Sequence, residues 1–196
     1  GLKTFIKKLI KYKRKKHVKV LIVGAPGSGK TTIMQQLFIA NTEYTPKVPS
    51  TNGYHILTVK YRLDSITPPP TFNMQLWDLG GIKSFRDHWH QYYGQVDGIV
   101  FVIDAAAPNF VETGQVLTSI LNNSSLDNIP MCIFVNKTDL AFARDVETVA
   151  EKLNIYGIFD RRWQIFTSQA LKSSKELDQG LKWLLKAIVP RSLSEY

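Results

Sequence analysis

The chain alternates short, nearly unbroken apolar runs with stretches of helical periodicity. VKVLIVG (18–24), DGIVFVID (97–104) and PMCIFVN (130–136) are apolar along almost their whole length, the pattern of strands covered on both faces. GYHILTVKYRL (53–63), TFNMQLWDL (71–79) and WQIFTS (163–168) supply three further strand-like runs. TTIMQQLFIA (31–40) reads as a helix, and helices are predicted over 109–122, 145–155 and 176–188. In the last of these Leu177, Leu181, Leu184, Leu185 and Ile188 form the core stripe. Near the start, Leu2, Phe5, Ile6, Leu9 and Ile10 repeat at helical spacing within residues 2–16. Two stretches resist regular structure: NTEYTPKVPSTNG (41–53) is polar and turn-rich, and the prolines of DSITPPP (64–70) remove donors and fix φ. The expected fold is α/β: a mostly parallel six-stranded sheet with helices on both faces, preceded by an N-terminal amphipathic helix. The helix is assigned to residues 1–17 and one domain to residues 18–196.

Charge sharpens the N-terminal assignment. Residues 1–20 hold nine of the 25 basic residues and no acid, and the remaining sixteen balance the 16 acidic residues of the body. A neutral body argues against a nucleic-acid-binding face. The basic segment itself suits three roles: an interface helix on anionic membranes, an import or nucleic-acid patch (KRKKH), or a solvated charge run. The single Cys132 lies inside an apolar run and reads as a small buried hydrophobe in a reducing compartment. No apolar run approaches the roughly 18 residues of a bilayer span.

Chemistry collects at the carboxyl ends of the predicted strands, where ligands of such sheets bind. GAPGSGKT (24–31) follows a strand, opens a helix and fits the G-x-x-x-x-G-K-[ST] phosphate loop. Its glycines let backbone N–H groups turn toward phosphate oxygens, and the helix adds its positive dipole end. Lys30 is expected to reach the β- and γ-phosphates and the Thr31 hydroxyl to bind Mg²⁺; Ala25, Pro26, Gly27, Ser28, Gly29 and Thr32 complete the contact. Asp78 closes the next strand, placed to hold the same ion through a water. Gly80 and Gly81 follow, and the Gly81 N–H is expected to donate to the γ-phosphate. After the 130–136 strand stands NKTD (136–139). The Asp139 carboxylate can accept both N1–H and the exocyclic amine of guanine, which adenine does not offer in that arrangement. Asn136 and Lys137 are expected to brace this loop and cover the base.

These motifs in this order resemble the small GTPases, and among them the ADP-ribosylation-factor (Arf/Arl/Sar) family. The resemblance covers roughly residues 18–189. It rests on GAPGSGKTT, TNGY (51–54), WDLGG (77–81), NKTD and the L-x-x-G-L-x-W-L of 177–184. It implies a P-loop NTPase fold and a switch that cycles between GDP and GTP. Thr51 becomes the switch I ligand of Mg²⁺, while Tyr54, Trp77 and Tyr92 become an aromatic cluster read by effectors. Gln169, Ala170 and Leu171 become the last guanine loop, with the Ala170 N–H on the base oxygen. The implied partners are an exchange factor, an activating protein and effectors at the switches, with an anionic membrane under residues 1–16, on the cytosolic face in membrane trafficking.

Three features depart from the family pattern. Ile82 stands where a glutamine usually orients the attacking water, so slow intrinsic hydrolysis is expected, or a GTP-locked binding module. Pro26 puts a residue without N–H inside the phosphate loop. DSITPPPT lengthens the segment between the switches. With Gln absent, catalysis is left to Lys30 and Gly81. An ATP-using P-loop enzyme is the remaining alternative, and Asp139 opposes it.

Overall fold

The computed structural model describes residues 17–40, 55–64, 69–78, 96–169, 172 and 175–189. The basic N-terminal segment and Thr51, Tyr54, Gly80, Gly81, Ile82, Tyr92, Ala170 and Leu171 lie outside the described residues.

Strand β1 (His17–Gly24) leads through the Gly-rich turn into helix α1 (Lys30–Ala40). Strands β2 (His55–Arg62) and β3 (Thr71–Asp78) form an antiparallel pair, and β4 (Gly98–Asp104) returns to the sheet centre. Helix α2 (Val111–Leu121), strand β5 (Met131–Asn136), helix α3 (Val146–Lys152), strand β6 (Trp163–Ser168) and helix α4 (Lys175–Ile188) complete the order. The six strands lie in the order β2-β3-β1-β4-β5-β6, with every pairing except β2–β3 parallel.

The apolar runs become the strands for the reason the pattern suggests. All six residues of β5 are buried, and β4 is buried up to its last residue. On one face Val20, Ile22, Met74 and Phe134 pack against Ile33 and Leu37 of α1 and Leu181 and Leu184 of α4. On the other, Leu21, Phe101, Ile133 and Val135 pack against Val116 and Ile120 of α2 and Val149 of α3. The glycine of α4 has a steric cause: a Cβ on Gly180 would lie 2.5 Å from Phe134 Cζ. Cys132 is fully buried and burial pushes its thiol pKa up, so it behaves as a core residue.

Some boundaries differ from expectation. His17 belongs to β1 rather than to the N-terminal segment. Helix α2 starts at Val111, because the Asn109 side chain accepts the Val111 N–H and turns the chain before the helix. Helix α3 is much shorter than residues 145–155. Asp145 caps its start by accepting from the Thr148 N–H at 2.7 Å, and Asn154 ends it in the left-handed conformation at φ +50°. A 3₁₀ turn, Ile155–Gly157, follows. No helix among the described residues is long and apolar enough to cross a membrane.

Candidate functional site

The carboxyl ends of β1, β3, β4, β5 and β6 open on the same end of the sheet, because all five strands run parallel. The turn from β1 to α1 is shaped by its glycines. Gly27 and Gly29 have φ of +75° and +102°, which side-chain-bearing residues rarely adopt. A Cβ on Gly29 would lie 2.3 Å from Asn136 Nδ2, so this glycine is also demanded by a neighbour far along the chain. A Cβ on Gly24 would lie 2.4 Å from the Val102 carbonyl oxygen, so the end of β1 passes close against β4.

Lys30 is buried, and its ammonium donates to the carbonyls of Gly24 at 3.1 Å and Ala25 at 2.9 Å. Its charge is thereby held at the mouth of the loop. Ser28 is buried beneath the turn, Pro26 and Gly27 are exposed, and Ala25 is half-buried. Thr31 and Thr32 occupy the first turn of α1, which carries no acidic residue. The positive end of the helix is therefore uncompensated by its own first turn, as an anion site needs.

Asp78 is the last residue of β3 and is buried. It stands in register beside Ile22, two residues before Gly24, which places it at the sheet end from which the loop departs. A hydroxyl and a carboxylate are hard oxygen donors, the set that suits a magnesium ion carrying phosphate.

The loop after β5 is tied directly to the phosphate loop. Asn136 Nδ2 donates to the Ser28 carbonyl at 3.0 Å, and the Ser168 hydroxyl donates to Asn136 Oδ1 at 3.0 Å. Lys137, in the left-handed region at φ +63°, extends its ammonium to the Gly27 carbonyl at 2.7 Å and to the Asp104 carboxylate at 2.6 Å. Thr138 donates its hydroxyl to the Ser168 carbonyl at 3.3 Å. Asp139 is different: it is exposed and paired with Lys172 at 2.8 Å. The Lys172 hydrogen bond holds its carboxyl below the usual aspartate range.

The structure thus brings together Gly24 to Thr32, Asn136, Lys137 and the strand-end Asp78. Gln169 is exposed just beyond β6. Thr51, Gly81, Ala170 and Leu171 lie outside the described residues. Three participants escaped the sequence reading. Asp104 ends β4 as Asp78 ends β3; besides Lys137 it accepts the Ala106 N–H at 2.9 Å, which closes the turn beyond the strand. An acid at the end of a buried strand was the available signal. Ser168 and Lys172 flank the three residues assigned to the last loop, and only the tertiary pairing gives them roles.

The comparisons agree with this geometry. The model of the ADP-ribosylation factor family matches residues 2–188. ADP-ribosylation factor-like protein 3 of Chlamydomonas reinhardtii is 31% identical over 189 residues, covering 96% of this chain and 99% of its own length. The protein of the same name from Caenorhabditis elegans is 33% identical over 178 residues, covering 90% and 91%. Among solved structures, the Arl6 BBS3 small GTPase of Trypanosoma brucei with a bound nucleotide analogue, GppNp, superposes with a TM-score of 0.70 at 25% identity. That match covers 88% of this chain and 97% of the other. The chain belongs to the ADP-ribosylation factor family, as an Arf-like small GTPase, a GTP-binding switch.

Proposed function

We propose that this protein cycles between GDP and GTP forms to recruit effectors at an anionic membrane surface, in membrane trafficking, and that it hydrolyses GTP slowly without an activating partner. One observation carries the nucleotide part of this reading. Asn136 and Lys137 bond the carbonyls of Ser28 and Gly27, joining loops about 110 residues apart into one surface. A ligand that has both a polyphosphate and a purine is what such a joined surface fits.

In this reading the N–H groups of the 25–32 loop and Lys30 bind the phosphates, and Gly81 donates to the γ-phosphate. Thr31, Thr51 and Asp78 hold Mg²⁺, which when bound neutralises charge on the β- and γ-phosphates. Asp139 selects guanine, and Gln169, Ala170 and Leu171 close over the base. Lys137 spans from the base loop to the phosphate loop, so its aliphatic stem covers the base plane. Pro26 contributes no N–H, leaving the remaining amides of the loop to do the binding. The basic N-terminal segment meets the membrane, where near-surface cations contribute about 1 kcal/mol each.

Ile82 motivates the slow turnover: it offers no hydrogen bond to the attacking water, and phosphoryl transfer depends on positioning. A second reading, a GTP-held recruiter with no useful turnover, rests on the same residue. Single-turnover hydrolysis of preloaded GTP tests both. The expected result is a slow rate that rises about tenfold or more in Ile82→Gln; equal rates in the two proteins would overturn the role given to Ile82. Sedimentation with phosphatidylserine vesicles in the GDP and GTP forms tests the membrane part. Binding that is weak in both forms would remove it.

A further inference from the structure

Among the described residues a groove of about 640 Å³ lies away from the phosphate loop, between α2 and the turn that follows α3. Its volume is in the range of ligand sites. Leu117 and Leu121 of α2 form one wall, and Leu153 and Ile158 form the other. Two cations line it, Arg144 and Lys152, and no acidic residue does. Arg144 is fixed by donating to the carbonyls of Ala107 and Pro108 and by lying 5.2 Å from the centre of the Phe110 ring. Its charge is therefore held in place by carbonyls rather than cancelled by a carboxylate.

Gly114 bears on the purpose of this groove. It lines the groove from inside α2, where glycine is a weak helix former. No steric demand explains it: a Cβ there would meet only Leu153 Cδ2, at an ordinary 3.8 Å. The glycine keeps the floor open. Val111 on its lining is exposed, and Tyr156 and Phe159, which flank the lining residues Gly157 and Ile158, are 54% and 91% exposed.

We propose that this groove docks a short acidic amphipathic segment of a partner protein. Its apolar side chains enter between α2 and the 153–158 turn, and its carboxylates meet Arg144 and Lys152. A protein segment fits better than a small amphiphile because the lining follows α2 from Val111 to Leu121, about 15 Å of helix, with its two cations on the facing side. The charge pattern selects an acidic partner over a basic one. Helix-in-groove docking with a few apolar anchors is the matching mode of recognition.

The test is selection from a random library of peptides about three helical turns long, displayed against the full nucleotide-loaded chain. The expected outcome is a family of peptides rich in Asp and Glu, with apolar residues at helical spacing. Gly114→Phe and Lys152→Glu should each weaken that family by about tenfold or more. Lys152 is exposed, so its variant keeps the test decisive if Gly114→Phe fails to fold. Amide shifts of Gly114, Gly157 and Ile158 on titrating a selected peptide should place it in the groove. The proposal is overturned if no selected family responds to either substitution, or if the responsive peptides are basic. It is equally overturned if laurate alone, or raised protein concentration alone, moves those amides while no peptide does.

Discussion

Asn136 and Asp139 stand in one loop and differ in almost every physical respect. Asn136 is buried: its side-chain amide donates to Ser28, its side-chain oxygen accepts from Ser168, and its backbone carbonyl accepts the Ala105 N–H at 2.9 Å. Asp139 is a surface residue whose side chain, 18% accessible, lies against one exposed lysine, Lys172. The first residue shapes the loop, and the proposed function gives the second the reading of the base. Shape is obtained from buried, fully occupied hydrogen-bond partners, so it is coupled to the stability of the fold. Reading requires groups left available at the surface, so it adds little to stability.

That contrast can be broken by substitution. Asn136→Ala should have the largest effect on the fold, because it strands the Ser28 carbonyl and the Ser168 hydroxyl in a buried place. The expected cost is about 2–4 kcal/mol, read as a fall of about 4–16 °C in the unfolding midpoint. An unchanged midpoint would mean that the buried bonds are dispensable. Lys137→Ala should follow with a smaller loss of stability, about 1 kcal/mol, because its ammonium is part-exposed and its bonds to Gly27 and Asp104 can be partly replaced by water.

A gain is expected on the buried side as well. The Ser28 hydroxyl is buried with no hydrogen-bond partner among the described residues. Ser28→Ala removes an unsatisfied group and should raise stability by up to about 1 kcal/mol. A clear loss would show that the hydroxyl is satisfied in the folded protein.

Acid titration probes the exposed side, and there the effect on stability is smallest. The Asp139 carboxyl is depressed by Lys172, so its contribution is present above the ordinary aspartate pKa and is lost as pH falls through the depressed value. The window is therefore acidic: near neutral pH the contribution is fully present and stability should not vary with pH on account of this group. In Lys172→Ala the carboxyl should titrate at higher pH than in the parent, as followed by its carbon chemical shift. Coincident titration curves would remove Lys172 as the cause.

Much of this contrast was legible in the sequence, and the limits have physical causes. Two-sided burial writes β1, β4 and β5 as apolar runs, and the glycine positions of GAPGSGKT record the left-handed turns at Gly27 and Gly29. The end of α3 was misplaced because Asn154 adopts a left-handed conformation that its residue type permits but does not require. Asp104 and Ser168 were missed because their partners, Lys137 and Asn136, lie 33 and 32 positions away. Pairings of that span follow from strand order, which local pattern does not encode. The groove beside α2 was invisible for the same reason, since Gly114 alone looks like a helix defect.

In the proposed function Asp139 selects the base, while Asn136 braces the loop and Lys137 both braces it and covers the base plane. The most direct measurement is the affinity of the parent and of Asp139→Asn for GDP and for xanthosine diphosphate. Xanthine carries a carbonyl where guanine carries an amine, and a carboxamide can donate to that carbonyl while accepting from N1–H. That role for Asp139 predicts that Asp139→Asn loses about a hundredfold or more in GDP affinity and prefers the xanthine nucleotide, with little change in stability. A variant that still bound GDP as the parent does would contradict it.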